Sequence, residues 1–175
     1  RVPGVLATAL EGLRGLRANV VVTCGPDVDP ATLGPQPPHV LVAPYLPHAL
    51  LLPRCDLVVS QGGAGIMLGA LLHGVPHLML PQGADQFIDA DVCTRAGAAL
   101  AVAPDAFGSD AVRAGAARLL GEPSFAAAAA RLGAAVRAMP APARVLAELA
   151  GGLRRSAPPA ASATSPPARP GRGRT

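Results

Sequence analysis

The sequence predicts an α/β fold built on a doubly wound parallel sheet. Strand-like and helix-like segments alternate along most of the 175 residues, and short turns rich in Gly or Pro separate them. One segment, residues 56–60, is the kind of apolar run that is typical of a strand buried on both faces of a parallel sheet. Such sheets bind ligands beyond the carboxyl ends of their strands, so functional residues are expected in the turns located there.

The first part of the chain predicts a helix followed by two strands. Apolar residues recur there at helical spacing: Val5, Leu6, Leu10, Leu13 and Leu16. Strands are expected over residues 20–23 and 39–42, and Pro47 favours a short helix over residues 47–52. Because the chain opens inside a helix and does not begin with Met, we expect it to be a piece of a larger protein.

The second part continues the alternation of strands and helices. Gly74 and Gly97 favour helix ends, Ser109 can cap a helix, and Pro123 can begin one. The predicted order is strand 56–60, helix 64–73, strand 76–80, helix 86–96, strand 98–102, and helices over 109–120, 123–139 and 142–153.

Charge is distributed unevenly along the chain. All 15 basic residues are Arg; residues 1–150 hold ten of them against eleven acidic residues, whereas residues 151–175 hold five Arg and no acid. We therefore expect one globular domain over residues 1–150 and a disordered tail rich in Pro, Ala and Arg over residues 151–175. Since the globular part carries a net charge of −1, it does not predict a nucleic-acid-binding surface.

Hydropathy and cysteine spacing indicate the cellular setting. No charge-free apolar run reaches about 18 residues, so no membrane span is expected, and the N-terminus lacks the pattern of a secretion signal. Cys24, Cys55 and Cys93 lack the spacing of metal ligands, so we expect reduced thiols, a cytoplasmic protein and no metal.

Two turns after predicted strands carry the chemistry. Gly62, Gly63 and Gly65 lie where a strand gives way to a helix, a position at which backbone N–H groups can approach a phosphate. On the next such turn, the carboxylate of Asp85 and the amide of Gln86 suit sugar hydroxyls. Together the turns predict a site for a sugar attached to a diphosphate.

These segments resemble a known family. The chain is similar to the C-terminal, donor-binding half of GT-B glycosyltransferases in the UDP-glycosyltransferase superfamily, nearest the bacterial macrolide and antibiotic group. The resemblance covers roughly residues 1–150 and implies a Rossmann-like domain. The matching segments are Tyr45-Leu46-Pro47-His48, Gln61-Gly62-Gly63-Ala64-Gly65, Gly74-Val75-Pro76, Pro81-Gln82-Gly83-Ala84-Asp85-Gln86 and Arg137-Ala138-Met139-Pro140.

The resemblance implies a role for each matching position. Tyr45 would stack on the nucleotide base, His48 would lie near the base and ribose, and the glycine turn would hold the diphosphate. Alternatives are an ordinary half-buried ring for Tyr45, a surface histidine for His48, a turn without a ligand, and a helix cap for Asp85. The implied donor-binding residues are Tyr45, His48, Gln61, Gly62, Gly63, Ala64, Gly65, Asp85 and Gln86.

Three positions depart from the family pattern. Gln61 stands where relatives carry a His, so a possibly charged donor becomes a neutral one. Ile66 replaces a Thr or Ser near the phosphate, and Asp89 replaces an Asn, which adds negative charge near an anionic ligand. All three departures predict weaker donor binding.

The resemblance implies an inverting glycosyltransferase of the hexosyltransferase type. It would move a sugar from a UDP- or dTDP-linked donor to a hydroxyl of a small natural-product acceptor, with no cofactor. In this family the acceptor pocket and the general base lie in an N-terminal half, and no catalytic residue is identified here. We therefore expect the chain alone to be inactive. The resemblance also implies a first strand that is missing here, so we expect the sheet to lack an edge strand.

The same residues leave other functions open. A degenerate or truncated, non-catalytic nucleotide-sugar-binding fold would explain Gln61, Ile66 and the missing half. A nucleotide-sugar epimerase would need catalytic carboxylates that are not found. Ser60 lies near glycines, but the G-x-S-x-G pattern of a hydrolase nucleophile is absent from the sequence.

Overall fold

A computed structural model of the chain describes residues 2–156. The described strands are β1 (Val20–Thr23), β2 (Val40–Ala43), β3 (Val58–Ser60), β4 (His77–Met79) and β5 (Ala99–Ala101). The α-helices are α1 (Val2–Arg14), α2 (His48–Leu51), α3 (Ala64–Leu72), α4 (Gln86–Arg95), α5 (Ser109–Gly121), α6 (Pro123–Arg137) and α7 (Pro142–Ser156). Residues up to Met139 form one compact unit, and α7 belongs to a second unit that begins at Pro140.

All strand pairs are parallel, which confirms the predicted α/β class. β1 pairs with β2, with Val20 opposite Val40. β4 lies between β3 and β5, and its residue His77 is opposite Val58 on one side and Ala99 on the other. The described strands form two hydrogen-bonded groups, one of β1 and β2 and the other of β3, β4 and β5.

β4 is the centre of the hydrophobic core. Leu78 and Met79 are both fully buried. Because successive residues of a strand point to opposite faces, the two side chains belong to two separate cores. The core around Met79 contains Leu71, Ala90, Cys93, Ala98, Ala99, Ala128 and Ala129. The core around Leu78 contains Ala9, Leu80, Val112, Ala116, Leu119 and Phe125. α3, α4 and α6 thus cover one face of the three-stranded sheet, and α1 and α5 cover the other.

The helix that follows the glycine turn is fixed at its far end by α6. A Cβ added at Gly133 would overlap the backbone carbonyl of Leu71, so the two helices approach as closely as only a glycine allows. The Arg137 guanidinium also donates a hydrogen bond to the carbonyl of Leu72, at the end of α3 where a positive charge is favourable.

The predicted elements agree with the observed ones to within a few residues. α7 continues to Ser156, past the predicted helix end at residue 153 and into the predicted tail; residues 157–175 of that tail lie outside the described residues. Cys24, Cys55 and Cys93 are free thiols. Among the described helices, none is long and apolar enough to cross a membrane.

The tight contact of α3 with α6 leads to a stability prediction. Gly133→Ala should lower the free energy of unfolding by about 1–3 kcal/mol, because a methyl group must push apart two packed backbones. Gly121→Ala is the matched control, since a Cβ there meets nothing within 4 Å. Urea denaturation checks both variants, and equal stability of the two would contradict the close approach at Gly133.

Candidate functional site

Two turns lie at the same edge of the three-stranded sheet. β3 ends at Ser60 and leads into the glycine turn, and β4 ends at Met79 and leads into the turn before Asp85. β3 and β4 are adjacent and parallel, so their carboxyl ends share one edge. The structure therefore places the predicted diphosphate turn and the predicted sugar-binding turn side by side.

The three glycines of the first turn have different roles. Gly62 has a φ of +83°, so its conformation favours glycine, and a Cβ there would also displace the end of the Met79 side chain, whose Cε would lie 2.5 Å away. At Gly63 and Gly65 an added Cβ meets nothing within 4 Å. Gly62 shapes the turn, whereas Gly63 and Gly65 leave open space beside it.

The open space adjoins unpaired N–H groups at the start of α3. The first hydrogen bond of this helix runs from the Met67 N–H to the Gly63 carbonyl, over 3.1 Å. The preceding N–H groups of Ala64, Gly65 and Ile66 have no carbonyl one turn earlier in the helix to accept them. Together with the positive end of the helix dipole, they can bind an anion such as a diphosphate.

A serine and a histidine hold the glycine turn in place. The Ser60 hydroxyl accepts a hydrogen bond from the Gly62 N–H at 3.0 Å and lies 2.9 Å from the His77 Nε2. Burial lowers the pKa of the His77 imidazole to about 4, so the ring is neutral at neutral pH. Its Nδ1 is buried without a partner among the described residues, which favours the tautomer that donates from Nε2 to Ser60.

Sequence reasoning missed this pair. His77 and Ser60 are 17 residues apart and meet only through the register of β3 and β4. The one available signal was a serine two residues before a glycine, because serine hydroxyls often bond to the backbone two positions on in turns.

The turn between β4 and α4 contains one residue in a strained conformation and is held in place by hydrogen bonds to a side chain. Ala84 has a φ of +54°, a conformation that L-residues other than glycine rarely adopt. The Gln86 Oε1 accepts hydrogen bonds from the N–H groups of Gln82, at 2.8 Å, and Gly83, at 3.3 Å. Gln86 thus braces the turn with its oxygen, and only its Nε2 remains available to a ligand.

Asp85 is the exposed carboxylate of this turn. It occupies the position before α4, but its side chain makes no capping hydrogen bond there. The structure thus gives no support to the alternative that Asp85 is a helix cap. Its carboxylate remains available to a ligand hydroxyl.

Tyr45 and His48 lie on a neighbouring part of the same compact unit. Tyr45 is 70% exposed, so it is not the half-buried ring that the alternative interpretation requires. His48 begins α2, is exposed, and belongs to a segment that packs beside α3 through Leu52 and Ala70. Among the described residues, the side-chain hydrogen bonds at the two turns involve neither Tyr45 nor His48.

The three departures from the family pattern have different environments. Gln61 is exposed at the turn, whereas Ile66 packs against the apolar cluster that contains Leu52 and Val58. The Asp89 Oδ2 is buried without a hydrogen-bond partner among the described residues. Burial, and then the nearby Asp89 charge, raise the pKa of the Cys93 thiol. The described residues contain no group of three or more His, Cys, Asp or Glu side chains that could hold a metal.

The fold and the two turns define the Rossmann-like, C-terminal type of domain found in GT-B glycosyltransferases. Residues 7–151 match the family model described as "Erythromycin biosynthesis protein CIII-like, C-terminal domain". The chain belongs to this family.

Solved and curated relatives agree with the family match. Spinosyn Rhamnosyltransferase SpnG, solved with thymidine diphosphate, has a TM-score of 0.79 and 32% identity over 85% of this chain and 40% of that one. Glycosyltransferase VinC, solved with DTDP, has a TM-score of 0.77 and 30% identity over 86% of this chain and 38% of that one. Elloramycin glycosyltransferase ElmGT from Streptomyces olivaceus is 42% identical over 104 residues, which are 59% of this chain and 27% of that protein. The chain thus spans less than half the length of these relatives.

The buried imidazole of His77 predicts that the stability of the protein depends on pH. Its pKa is lowered from 6.5 to about 4, so the folded state resists protonation that the unfolded state accepts. The stabilisation is present above pH 6.5 and is lost as the pH falls toward 4, at up to about 1.4 kcal/mol per pH unit. Urea denaturation between pH 4.5 and 7.5 measures this slope.

His77→Gln should flatten the slope, because the amide can still bond to Ser60 but does not titrate. His73→Gln, at an exposed histidine, is the control and should leave the slope unchanged. A slope that is the same in the original chain and in His77→Gln would refute the prediction.

Proposed function

We propose that the two turns bind a nucleotide-sugar, with the diphosphate at the start of α3 and the sugar hydroxyls at Asp85. The observation that carries this proposal is the juxtaposition of open helix N–H groups and a free, exposed carboxylate on adjacent parallel strands. The N–H groups can donate hydrogen bonds to the diphosphate, and the carboxylate can accept hydrogen bonds from sugar hydroxyls. The Gln86 Nε2 would add one further donor to the sugar.

The nucleotide is proposed to be dTDP, with UDP as the alternative. Two similar glycosyltransferases were solved with thymidine diphosphate, which supports dTDP as the nucleotide. Tyr45, with its exposed ring, would stack on the base, and such stacking contributes about 1–3 kcal/mol. His48 would lie near the base and ribose.

The whole protein is proposed to be an inverting glycosyltransferase that acts on a natural-product hydroxyl. The diphosphate is then the leaving group, and the N–H groups at the start of α3 would stabilise its growing charge. A general base must also take the proton of the acceptor hydroxyl. We assign none of the residues of the proposed site to that step, since Asp85 is proposed to bind the sugar and His48 to lie near the nucleotide base, and we place the general base and the acceptor pocket on another part of the protein.

The proposed reaction needs no cofactor besides the donor. Its setting is proposed to be the cytoplasm, which the three free thiols support.

A second candidate function is nucleotide-sugar binding without catalysis. Gln61 and Ile66 favour it, because a neutral amide is a weaker donor to phosphate than a charged imidazole and the Ile66 side chain packs against an apolar cluster. Donor binding alone would be common to both candidates.

The binding proposal predicts which variants lose affinity. Gly65→Leu should weaken binding of dTDP at least about tenfold, since the new side chain fills the open space beside α3 without meeting protein atoms at its Cβ. Gly121→Leu is the matched control, at another helical glycine with open surroundings. Isothermal titration calorimetry with dTDP and UDP measures both variants.

A third variant tests the Asp85 turn independently of the glycine turn. Asp85→Ala should weaken binding of a dTDP-sugar and leave dTDP itself unchanged. The proposal fails if the folded chain binds neither nucleotide at millimolar concentration, or if Gly65→Leu and Gly121→Leu bind equally well.

Gln61 gives a further prediction at the same turn. Gln61→His should tighten dTDP binding by about 1 kcal/mol, because a charge-assisted hydrogen bond replaces a neutral one. The gain over the original chain should grow as the pH falls from about 8 to about 6 and the new imidazole takes up a proton. Gln61→Asn, which keeps a neutral amide, should show no such growth. An unchanged affinity for Gln61→His at every pH would mean that this side chain does not face the phosphate.

A further inference from the structure

The Gly62 N–H group is bound by a side chain of the protein itself. It donates to the Ser60 hydroxyl oxygen over 3.0 Å, so it is not one of the open N–H groups at the start of α3. The chain then passes from the positive φ of Gly62, +83°, to the negative φ of Gly63, −62°, immediately before the helix. The hydrogen bond to Ser60 therefore fixes the peptide from which the chain turns toward the open N–H groups.

His77 holds the Ser60 oxygen in the role of acceptor. The His77 Nε2 lies 2.9 Å from the Ser60 Oγ, and the His77 Nδ1 is buried without a partner among the described residues. A proton on Nδ1 would be a buried donor without an acceptor, which favours the tautomer in which Nε2 donates to Ser60. Since a hydroxyl oxygen has two lone pairs, it can accept from His77 and from Gly62 at the same time. Two hydrogen bonds thus connect His77 to the backbone of the glycine turn.

Strand pairing fixes both side chains of this connection. His77 is 3% exposed and lies in β4, which is paired with β3 on one side and with β5 on the other. Ser60 ends β3, where the register places it opposite Met79. Because both residues are held by the sheet, the turn is ordered before a ligand arrives, and N–H groups that are already oriented need no reorganisation when an anion binds.

The same two side chains do not form a nucleophile and its base. Burial lowers the pKa of His77 to about 4, whereas a general base works best when its pKa is near the operating pH. In the favoured tautomer Nε2 already carries a proton, so it cannot take one from the Ser60 hydroxyl. The geometry therefore favours a role in holding the turn over a role in covalent chemistry.

We propose that Ser60 and His77 are positioning residues for the diphosphate, an inference that rests on the proposed nucleotide-sugar site. His77 acts through Ser60, and Ser60 acts through the Gly62 N–H group, so neither side chain binds the ligand itself. Because the two side chains act in series, loss of His77 costs no more affinity than loss of Ser60. Loss of both costs no more than loss of Ser60 alone.

Calorimetry with dTDP on the full chain tests this serial arrangement. Ser60→Ala should weaken binding at least about tenfold, because displaced N–H groups bind an anion poorly. His77→Leu should weaken binding by less, about threefold, since it removes one hydrogen bond from Ser60. The double variant should bind as Ser60→Ala does. Ser60→Thr keeps a hydroxyl and His77→Gln keeps a donor, so both should bind like the original chain.

Gly12→Ala is the control for a loss of stability. A Cβ at Gly12 would lie 2.5 Å from the Ser109 carbonyl oxygen, where α1 packs against α5 on the other face of the sheet. This variant should be less stable than the original chain and bind dTDP equally well. If Ser60 contributed only to stability, Ser60→Ala would behave in the same way.

Amide exchange measured by NMR reports on the turn without any ligand. The Gly62 N–H should exchange at least about tenfold faster in Ser60→Ala than in the original chain, and Ser60→Thr should restore its protection. The nitrogen shifts of isotopically labelled histidine should show that the proton of His77 is on Nε2.

The outcomes separate this inference from the proposed function. If the folded original chain does not bind dTDP, the proposed function fails and this inference fails with it. If the original chain binds dTDP and Ser60→Ala binds it equally well, the inference alone fails. It is also overturned by a double variant that binds more weakly than Ser60→Ala, or by a His77 proton on Nδ1. Tighter binding by Ser60→Ala would overturn it as well, because Ser60 would then compete with the ligand for the Gly62 N–H.

Discussion

The structure depends on the burial of β4 between two parallel neighbours. Leu78 and Met79, on its opposite faces, are each fully buried, and each belongs to a different core. Because β4 fixes the register of both β3 and β5, it also fixes the edge at which the glycine turn and the Asp85 turn meet. The candidate site is therefore a consequence of strand pairing, and the loops themselves contribute only local shape.

The sequence predicts the strands and helices well because their signals are local. Gly74 and Gly97 end helices, and both have the positive φ that such ends require. The hydrogen bond between Ser60 and His77 could not be predicted, since the two residues are 17 positions apart and meet only through the register of β3 and β4. The bracing of the second turn by Gln86 and the separation of the strands into two groups likewise depend on tertiary geometry that no local pattern encodes.

The glycine turn combines a rigid part with an adaptable part. Gly62 is fixed by Met79 behind it and by Ser60 beneath it, whereas Gly63 and Gly65 border open space. A site made from backbone N–H groups is already organised before a ligand arrives, because no side chain has to be ordered to form it. Gln61 is exposed and takes no part in the contacts that hold Gly62, so a substitution there is expected to leave the shape of the turn unchanged.

The contact of α3 with α6 has a consequence for how this domain can change over many generations. The seam consists of Gly133, Ala128 and Ala129 against Leu71, and these small residues leave almost no allowed larger replacement. Substitutions are therefore expected to be tolerated better at the opposite end of α3, where an added Cβ at Gly63 or Gly65 meets nothing within 4 Å. The last turn of α3 is thus constrained by its packing against α6, whereas the residues at its start can change without disturbing the core.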